Sequence, residues 1–330
     1  MEKVIMEILT QFFLPVSIWF QGTPDLLVKV FQGITFLGNT EFYILVMPAL
    51  FWCINTTLGI RIGIMLLVGG GINSILKFSF QWPRPFWVTP EVTNLVEGAS
   101  FGFPSGHAQN AAGIWGLAAV SVRKNWIHWS AIAAILLIGF SRIVLGVHFT
   151  HDVLVGWLVG GLLLWLFLKL EEPVVNWFKR NSMSMQILAL VIITAILILP
   201  VVLLVPPFNP PPINPEWIEG AGEVIHPYIY DGVLTTSGSF LGFGLGLILL
   251  NQTGMFSHEG KLWKRILRYP VGIIGILILY LGLGSIFPDD ISFLSYSLRF
   301  FRYFLIGSWI SFGGPRVFSL LKLTQEKSNE

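Results

Sequence analysis

The stretch SRIVLGVHFTHDVLVGWLVGGLLLWLFLKL, residues 141–170, decides how this chain folds. Residues 153–168 carry no charged side chain, and a helix needs roughly 20 mostly apolar residues to cross a bilayer. The run therefore reads as a membrane-crossing helix. Just before it stand Ser141, Arg142, His148 and Asp152, groups that cost free energy in lipid and call for a polar partner. The whole chain has the same character. Its 330 residues are 54% hydrophobic and 12% charged, with a mean hydropathy of +0.73, whereas a soluble domain carries about 25% charged residues. A net charge of +2 gives no footprint for nucleic acid. The single cysteine, Cys53, can build neither an internal disulfide nor a cysteine-based zinc site. The N-terminus, with Glu2 and Glu7 beside Lys3, lacks the pattern of a cleavable signal.

Apolar runs predict nine crossings, at 41–57, 60–78, 107–122, 128–147, 152–170, 185–205, 232–250, 268–287 and 295–314. The fold class is thus all-α, a polytopic transmembrane helical bundle. Residues 24–37 are amphipathic and read as lying flat at the interface. Residues 4–20 contain Glu7, Gln11 and Pro15 and suit either a tenth span or a second surface helix. Lysine and arginine are unequally shared between the two sets of span ends. Thirteen, among them Arg61, Arg123, Lys124, Lys169, Lys179, Arg268 and Lys327, fall on one side and five on the other. The poorer side also carries acidic loops with Glu91, Glu97, Glu216, Asp289 and Asp290. Positive charge marks the cytoplasmic face, so the acid-rich face is the extracytoplasmic one. Trp82 and Trp87 fit an interfacial aromatic belt.

Three polar clusters share that outer face. KFSFQWPRP places Lys77 at the end of a span and Arg84 beyond it; FPSGH places Ser105, Gly106 and His107 at the start of another. The third is the set Ser141, Arg142, His148 and Asp152. Two crossings separate the second cluster from the third, so the chain returns to the same side and all three can meet. Lys77, Arg84 and Arg142 converge without matching carboxylates, and an anion rich in oxygen is their natural counterpart. A helix opened by Ser105, Gly106 and His107 adds free backbone amides and a positive dipole end. His148 with Asp152 reads as a nucleophile or base oriented by a carboxylate. His107, from another helix, can protonate a departing oxygen. Together they suit double displacement through a phosphohistidine, with the cations neutralising transition-state charge and no metal or other cofactor required. Taken singly, each residue has a plainer reading: Ser105 as an N-cap, Arg84 and Arg142 as headgroup anchors, Lys77 as a snorkelling side chain.

The order Lys-x6-Arg-Pro, Pro-Ser-Gly-His and Ser-Arg-x5-His-x3-Asp resembles the three-part signature of the type-2 phosphatidic acid phosphatase family, in the superfamily of the vanadium-dependent haloperoxidases. The signature occupies residues 77–152 without substitution. FLGNTEFYILVMPALFW, residues 36–52, is similar to the first span of the branch with the sphingosine-1-phosphate phosphatases. The resemblance implies that Lys77, Arg84, Ser105, Gly106, His107 and Arg142 bind phosphate. It also implies that His107 is the general acid, His148 the nucleophile and Asp152 its partner. His151 falls where the signature is free. The expected activity is that of a multi-pass cell-membrane phosphatase acting on a lipid phosphate monoester or diphosphate in the bilayer, at the extracytoplasmic face. Rival readings are a phosphotransferase with the same intermediate, a sugar-phosphate phosphatase, and an anionic-lipid binder or transporter.

The expected organisation is an N-terminal interfacial region at 1–40, a phosphatase core at 41–172 and a four-helix module at 173–330. A proline-rich outer loop around VPPFNPPPINPEW is expected to form a rim or lid. Gly242, Gly244 and Gly246 permit close helix packing, and the C-terminal helices offer a surface for homo-oligomer formation.

Overall fold

The computed structural model describes residues 2–324 apart from 123, 255 and 289, without the side chains at 2, 3, 40 and 41. Arg123, Asp289 and Lys327, counted above for orientation, lie outside the described residues. Those that are described form helices and connections, with no strand among them. In order, α1 is Glu2–Phe20, α2 Asp25–Phe36, α3 Thr40–Ala49 with a π-helical continuation Leu50–Ile54, α4 Thr56–Phe80 and α5 Pro85–Val88. Then α6, Gly106–Asn110, runs through a π-helical turn, Ala111–Trp115, into α7, Gly116–Val122. They are followed by α8 Asn125–Val144, α9 Thr150–Arg180, α10 Met183–Leu204 and α11 Pro215–Ala221. The last are α12 Asp231–Gln252, α13 Leu262–Leu277, α14 Phe293–Ser308 and α15 Gly314–Leu320.

Among the described residues, six helical stretches are long and apolar enough to cross a membrane: Thr56–Val88, Asn125–Val144, Thr150–Arg180, Met183–Leu204, Asp231–Gln252 and Leu262–Gly282. A seventh is added if Val4–Phe20 and Asp25–Phe36, bent by 119°, count as one broken span. The expected nine are not reached by this measure. Phe42–Ile54 is apolar but short, the helix over 106–122 is short as well, and the helix over 293–320 carries Arg299, Arg302 and Arg316. The multi-pass, all-helical class stands.

Contacts divide the chain into two units, each assembled from three separate segments. The first comprises Met1–Phe42, Ile72–Phe167 and Pro200–Ile229. Its helices meet through small residues. A Cβ at Gly156 of α9 would stand 2.6 Å from Ser105 O and 2.9 Å from Ala108 Cβ, and one at Gly160 would strike Gln109 O. Glycine four residues apart thus lets α9 lie directly on the helix that opens at Gly106. The loop segments have a core of their own: Phe86, Trp87, Val92, Phe101, Leu145, Val147 and Ile225, with Trp217, Ile218 and Tyr228 packed against it. Trp87 and Trp82 are 1% and 6% exposed. The aromatic-belt reading of these two tryptophans is therefore corrected: Trp87 fills the loop core, and Trp82 packs against Phe80, Phe103 and His151.

The second unit, Tyr43–Gly71, Leu168–Leu199 and Tyr230–Glu330, uses the same device. Gly242 and Gly246 of α12 face Phe304 and Ser311, and Gly244 faces Leu190, so these three glycines are engaged within the chain. Arg268, counted above as a cytoplasmic surface cation, is 0% exposed. Its guanidinium donates to the carbonyls of Trp52 (3.0 Å), His258 (2.8 Å), Glu259 (2.7 Å) and Leu323 (3.0 Å). A buried arginine persists where its fork finds acceptors, and the π-helical turn at Trp52, the loop at His258 and Glu259 and the segment after α15 provide them here.

Candidate active site

All eight residues singled out in the sequence lie in the first unit. α8 ends at Val144 and the chain reverses at Gly146, whose φ of +72° is the left-handed conformation that glycine adopts freely. The reversal returns the amides of Val147 and His148 to Arg142 O, each at 3.2 Å. Arg142 and His148 are thereby fixed to each other by backbone. α9 then starts, and Asp152 in its first turn reaches back. Its Oδ2 accepts from the Phe149 amide (2.9 Å) and lies 3.2 Å from His148 Nδ1. A carboxylate only accepts, so Nδ1 carries the proton and Nε2 presents its lone pair. Asp152 is 0% and His148 2% exposed. Burial first, and then the charges of Arg84, Lys77 and Arg142, lower the His148 pKa well below 6.5. The free imidazole is thus the resting form at neutral pH.

Ser105 caps the incoming helix: its side chain accepts from the Ala108 amide at 3.5 Å. Its own amide donates to Asp152 O at 3.0 Å, which ties the second cluster to the third. Gly106 is the residue that allows Asn73 to approach, since a Cβ there would stand 2.9 Å from Asn73 Oδ1. Asn73 in turn donates to Gln109 Oε1 (3.0 Å) and Pro104 O (3.3 Å).

The cations come from three places. Lys77, near the end of α4, donates to Ser100 Oγ (3.0 Å) and Phe101 O (2.5 Å). Arg84 donates through Nε to Ser100 O (2.5 Å) and through Nη1 to Val147 O (2.8 Å), and Nη1 lies 3.5 Å from His148 Nε2. Arg142 donates from Nη1 to Thr35 Oγ1 at 2.7 Å, while its buried Nε has no hydrogen-bond partner among the described residues. Arg84 and Arg142 are each 4% exposed, and His148 feels Arg84, Lys77, Arg142 and His107 together. Two buried guanidiniums and the half-buried Lys77 ammonium stand around a neutral imidazole, with Asp152 the carboxylate at its side, an arrangement able to receive an anion with several oxygens.

Some contacts were not legible in the sequence. Ser100 unites Lys77 and Arg84, Thr35 holds Arg142, and Asn39 Oδ1 lies 2.8 Å from His107 Nε2. Thr35 stands in the last turn of α2, within the stretch 24–37 read as an interfacial helix, and Asn39 just beyond it, within the stretch 36–52 read as similar to a first span. Neither residue was singled out. His151 packs face to face on Phe149, with ring centroids 5.3 Å apart, and its Nε2 is 3.2 Å from Asp152 Oδ1. It flanks the carboxylate.

Comparison with known proteins gives matches to two family models, the PAP2 superfamily over residues 58–176 and the transmembrane extension of PAP2 superfamily phosphatases over residues 234–327. Phosphatidylglycerophosphatase B of Bacillus subtilis is 34% identical, over 44% of this chain and 76% of its own length. Human sphingosine-1-phosphate phosphatase 2 is 30% identical, over 41% of this chain and 35% of its own length. The undecaprenyl-diphosphatase of Sulfolobus acidocaldarius is 29% identical, over 35% and 56%. This chain thus spans about a third to a half of the latter two. Among solved structures, a transmembrane PAP2-type phosphatidylglycerolphosphate phosphatase from Bacillus subtilis is 29% identical, covering 52% of this chain and 95% of its own, with a TM-score of 0.41.

Proposed function

The chain belongs to the PAP2 superfamily, and from that premise we propose that it is a membrane phosphatase that hydrolyses a lipid phosphate monoester or diphosphate through a phosphohistidine at the extracytoplasmic face. One observation carries the reading: His148 Nδ1 rests on buried Asp152 while Nε2 lies 3.5 Å from Arg84 Nη1. The nucleophilic nitrogen is thus beside a guanidinium suited to hold the phosphate. Lys77, Arg84, Arg142 and the first amides of the helix opened by Ser105 and Gly106 take the non-bridging oxygens. Nε2 attacks phosphorus, the bond to the lipid oxygen breaks, and that oxygen leaves with its electron pair and a proton from His107. Water then attacks the phosphorus and passes a proton to His107. The N–P bond breaks with its electrons returning to Nε2, and inorganic phosphate departs. Asp152 stabilises the imidazolium that precedes release.

The lipid class is proposed on two grounds: the polar site lies at one end of apolar helices, and the relatives bear lipid-phosphatase names. The extracytoplasmic side follows from the distribution of lysine and arginine. That topology counts nine crossings, taking the helices over 40–54, 106–122 and 293–320 as spans too.

The test is phosphate release by purified protein in detergent from phosphatidic acid, phosphatidylglycerol phosphate, undecaprenyl diphosphate and glucose 6-phosphate. Turnover on at least one lipid in the presence of chelator, inhibition by vanadate and loss by about 1,000-fold or more in His148→Ala are expected. Turnover on the sugar phosphate alone would move the reading to a soluble substrate. Lipid binding without turnover would make the protein a binder.

A further inference from the structure

The same nest of cations surrounds two imidazoles, and the structure gives them different partners. His148 is backed by the carboxylate of Asp152 at 3.2 Å. His107 is backed by the carboxamide of Asn39, with Nε2 to Oδ1 at 2.8 Å. The backbone is shaped for that contact: a Cβ at Gly38 would stand 2.9 Å from His107 Cδ2 and 2.7 Å from Ile138 Cγ2. The turn after α2 therefore lies flush against the His107 ring, and only a residue without a side chain fits there. The same helix end holds Arg142 through Thr35 at 2.7 Å.

We propose that Asn39 is a positioning residue that makes His107 the acid of the pair. This rests on the phosphatase reading above. An amide oxygen accepts one N–H and carries no charge. It therefore fixes the ring by accepting Nε2–H, so the proton given to the leaving oxygen is the one that Nδ1 carries in the imidazolium form. A carboxylate in its place would stabilise the imidazolium and make it reluctant to surrender a proton. Asp152 does that for His148, whose task is to accept phosphorus and then carry positive charge. Neutral and charged partners thus separate two chemically identical side chains into acid and nucleophile. The other charged groups facing His107 are Arg142, Lys77 and Arg84.

Leaving-group dependence tests the proposal. Expulsion of an alkoxide from a lipid phosphate needs a proton, whereas expulsion of para-nitrophenolate hardly does. Full-length Asn39→Ala, Asn39→Asp and His107→Ala proteins are assayed on phosphatidic acid in mixed micelles and on para-nitrophenyl phosphate. The ratio of lipid to aryl kcat should fall by about 10- to 100-fold in Asn39→Ala, in the same direction as in His107→Ala, and by a comparable factor in Asn39→Asp. Turnover on the aryl ester reports that each variant has folded. Equal losses on both substrates in the Asn39 variants, with a selective loss in His107→Ala, would overturn the role of Asn39 alone. Equal losses in His107→Ala would overturn the general-acid reading and this proposal with it.

Discussion

His148 needs its lone pair to act, and its surroundings keep that lone pair free. Burial, followed by the charge of Arg84, lowers its pKa well below 6.5. The imidazole is inactive when protonated, so the activity that depends on its lone pair is lost as pH falls through this depressed value. We expect the acid limb of kcat/KM, the one set by His148, to lie below pH 6.5. Arg84→Gln, by removing a positive charge from beside the ring, should move the limb upward in addition to weakening binding. A wild-type limb centred at or above 6.5 would count against a free imidazole at the centre of the nest. At this scale the sequence was informative for the charged residues and silent on their neutral supports. Lys77, Arg84, Arg142, His107, His148 and Asp152 stand out because each is costly in an apolar chain. Ser100, Thr35 and Asn39 are cheap, occur in any loop, and acquire a role only when folding places them against those groups.

Among the elements, the contact between α9 and the helix opened by Ser105 holds the site together. Gly156 and Gly160 let backbone meet backbone there, and the Ser105 amide bonds Asp152 O at 3.0 Å. Gly156→Val would drive a branched side chain into Ser105 O and Ala108 Cβ. It should cost about 1–3 kcal/mol, seen as a lower unfolding temperature in detergent, and should weaken activity by moving Ser105 relative to Asp152. An unchanged melting curve and full activity would mean that the helices do not need this approach. The proline-rich outer segment shows how far a pattern could be read. Its sequence suggested a rim or lid. In the structure α11 packs on α5, with Trp217 and Trp87 ring centroids 6.1 Å apart, and Tyr228 bonds Gln81 Oε1 at 3.3 Å. The segment thus buttresses the loops that carry Arg84 and Ser100, a long-range pairing that no local periodicity encodes.

For the molecule as a whole, the proposed topology puts the site outside and the Lys124 end of α8 in the cytoplasm. Substituting the only cysteine, Cys53→Ser, gives a background for single-cysteine labelling. In intact cells an impermeant maleimide should label Glu97→Cys, in the loop near the site, and spare Lys124→Cys until the membrane is permeabilised. The reverse pattern would turn the protein over. By itself the sequence determined that the chain is a helical, multi-pass membrane protein with one polar site. Hydrophobic runs and isolated charges report directly on what lipid tolerates, and they do so locally. Tertiary structure alone decided which neutral side chain backs which imidazole, that Arg268 is buried among carbonyls, and how segments far apart in sequence share a unit. Those outcomes depend on distances and angles between groups from different helices, set by packing that no single stretch contains.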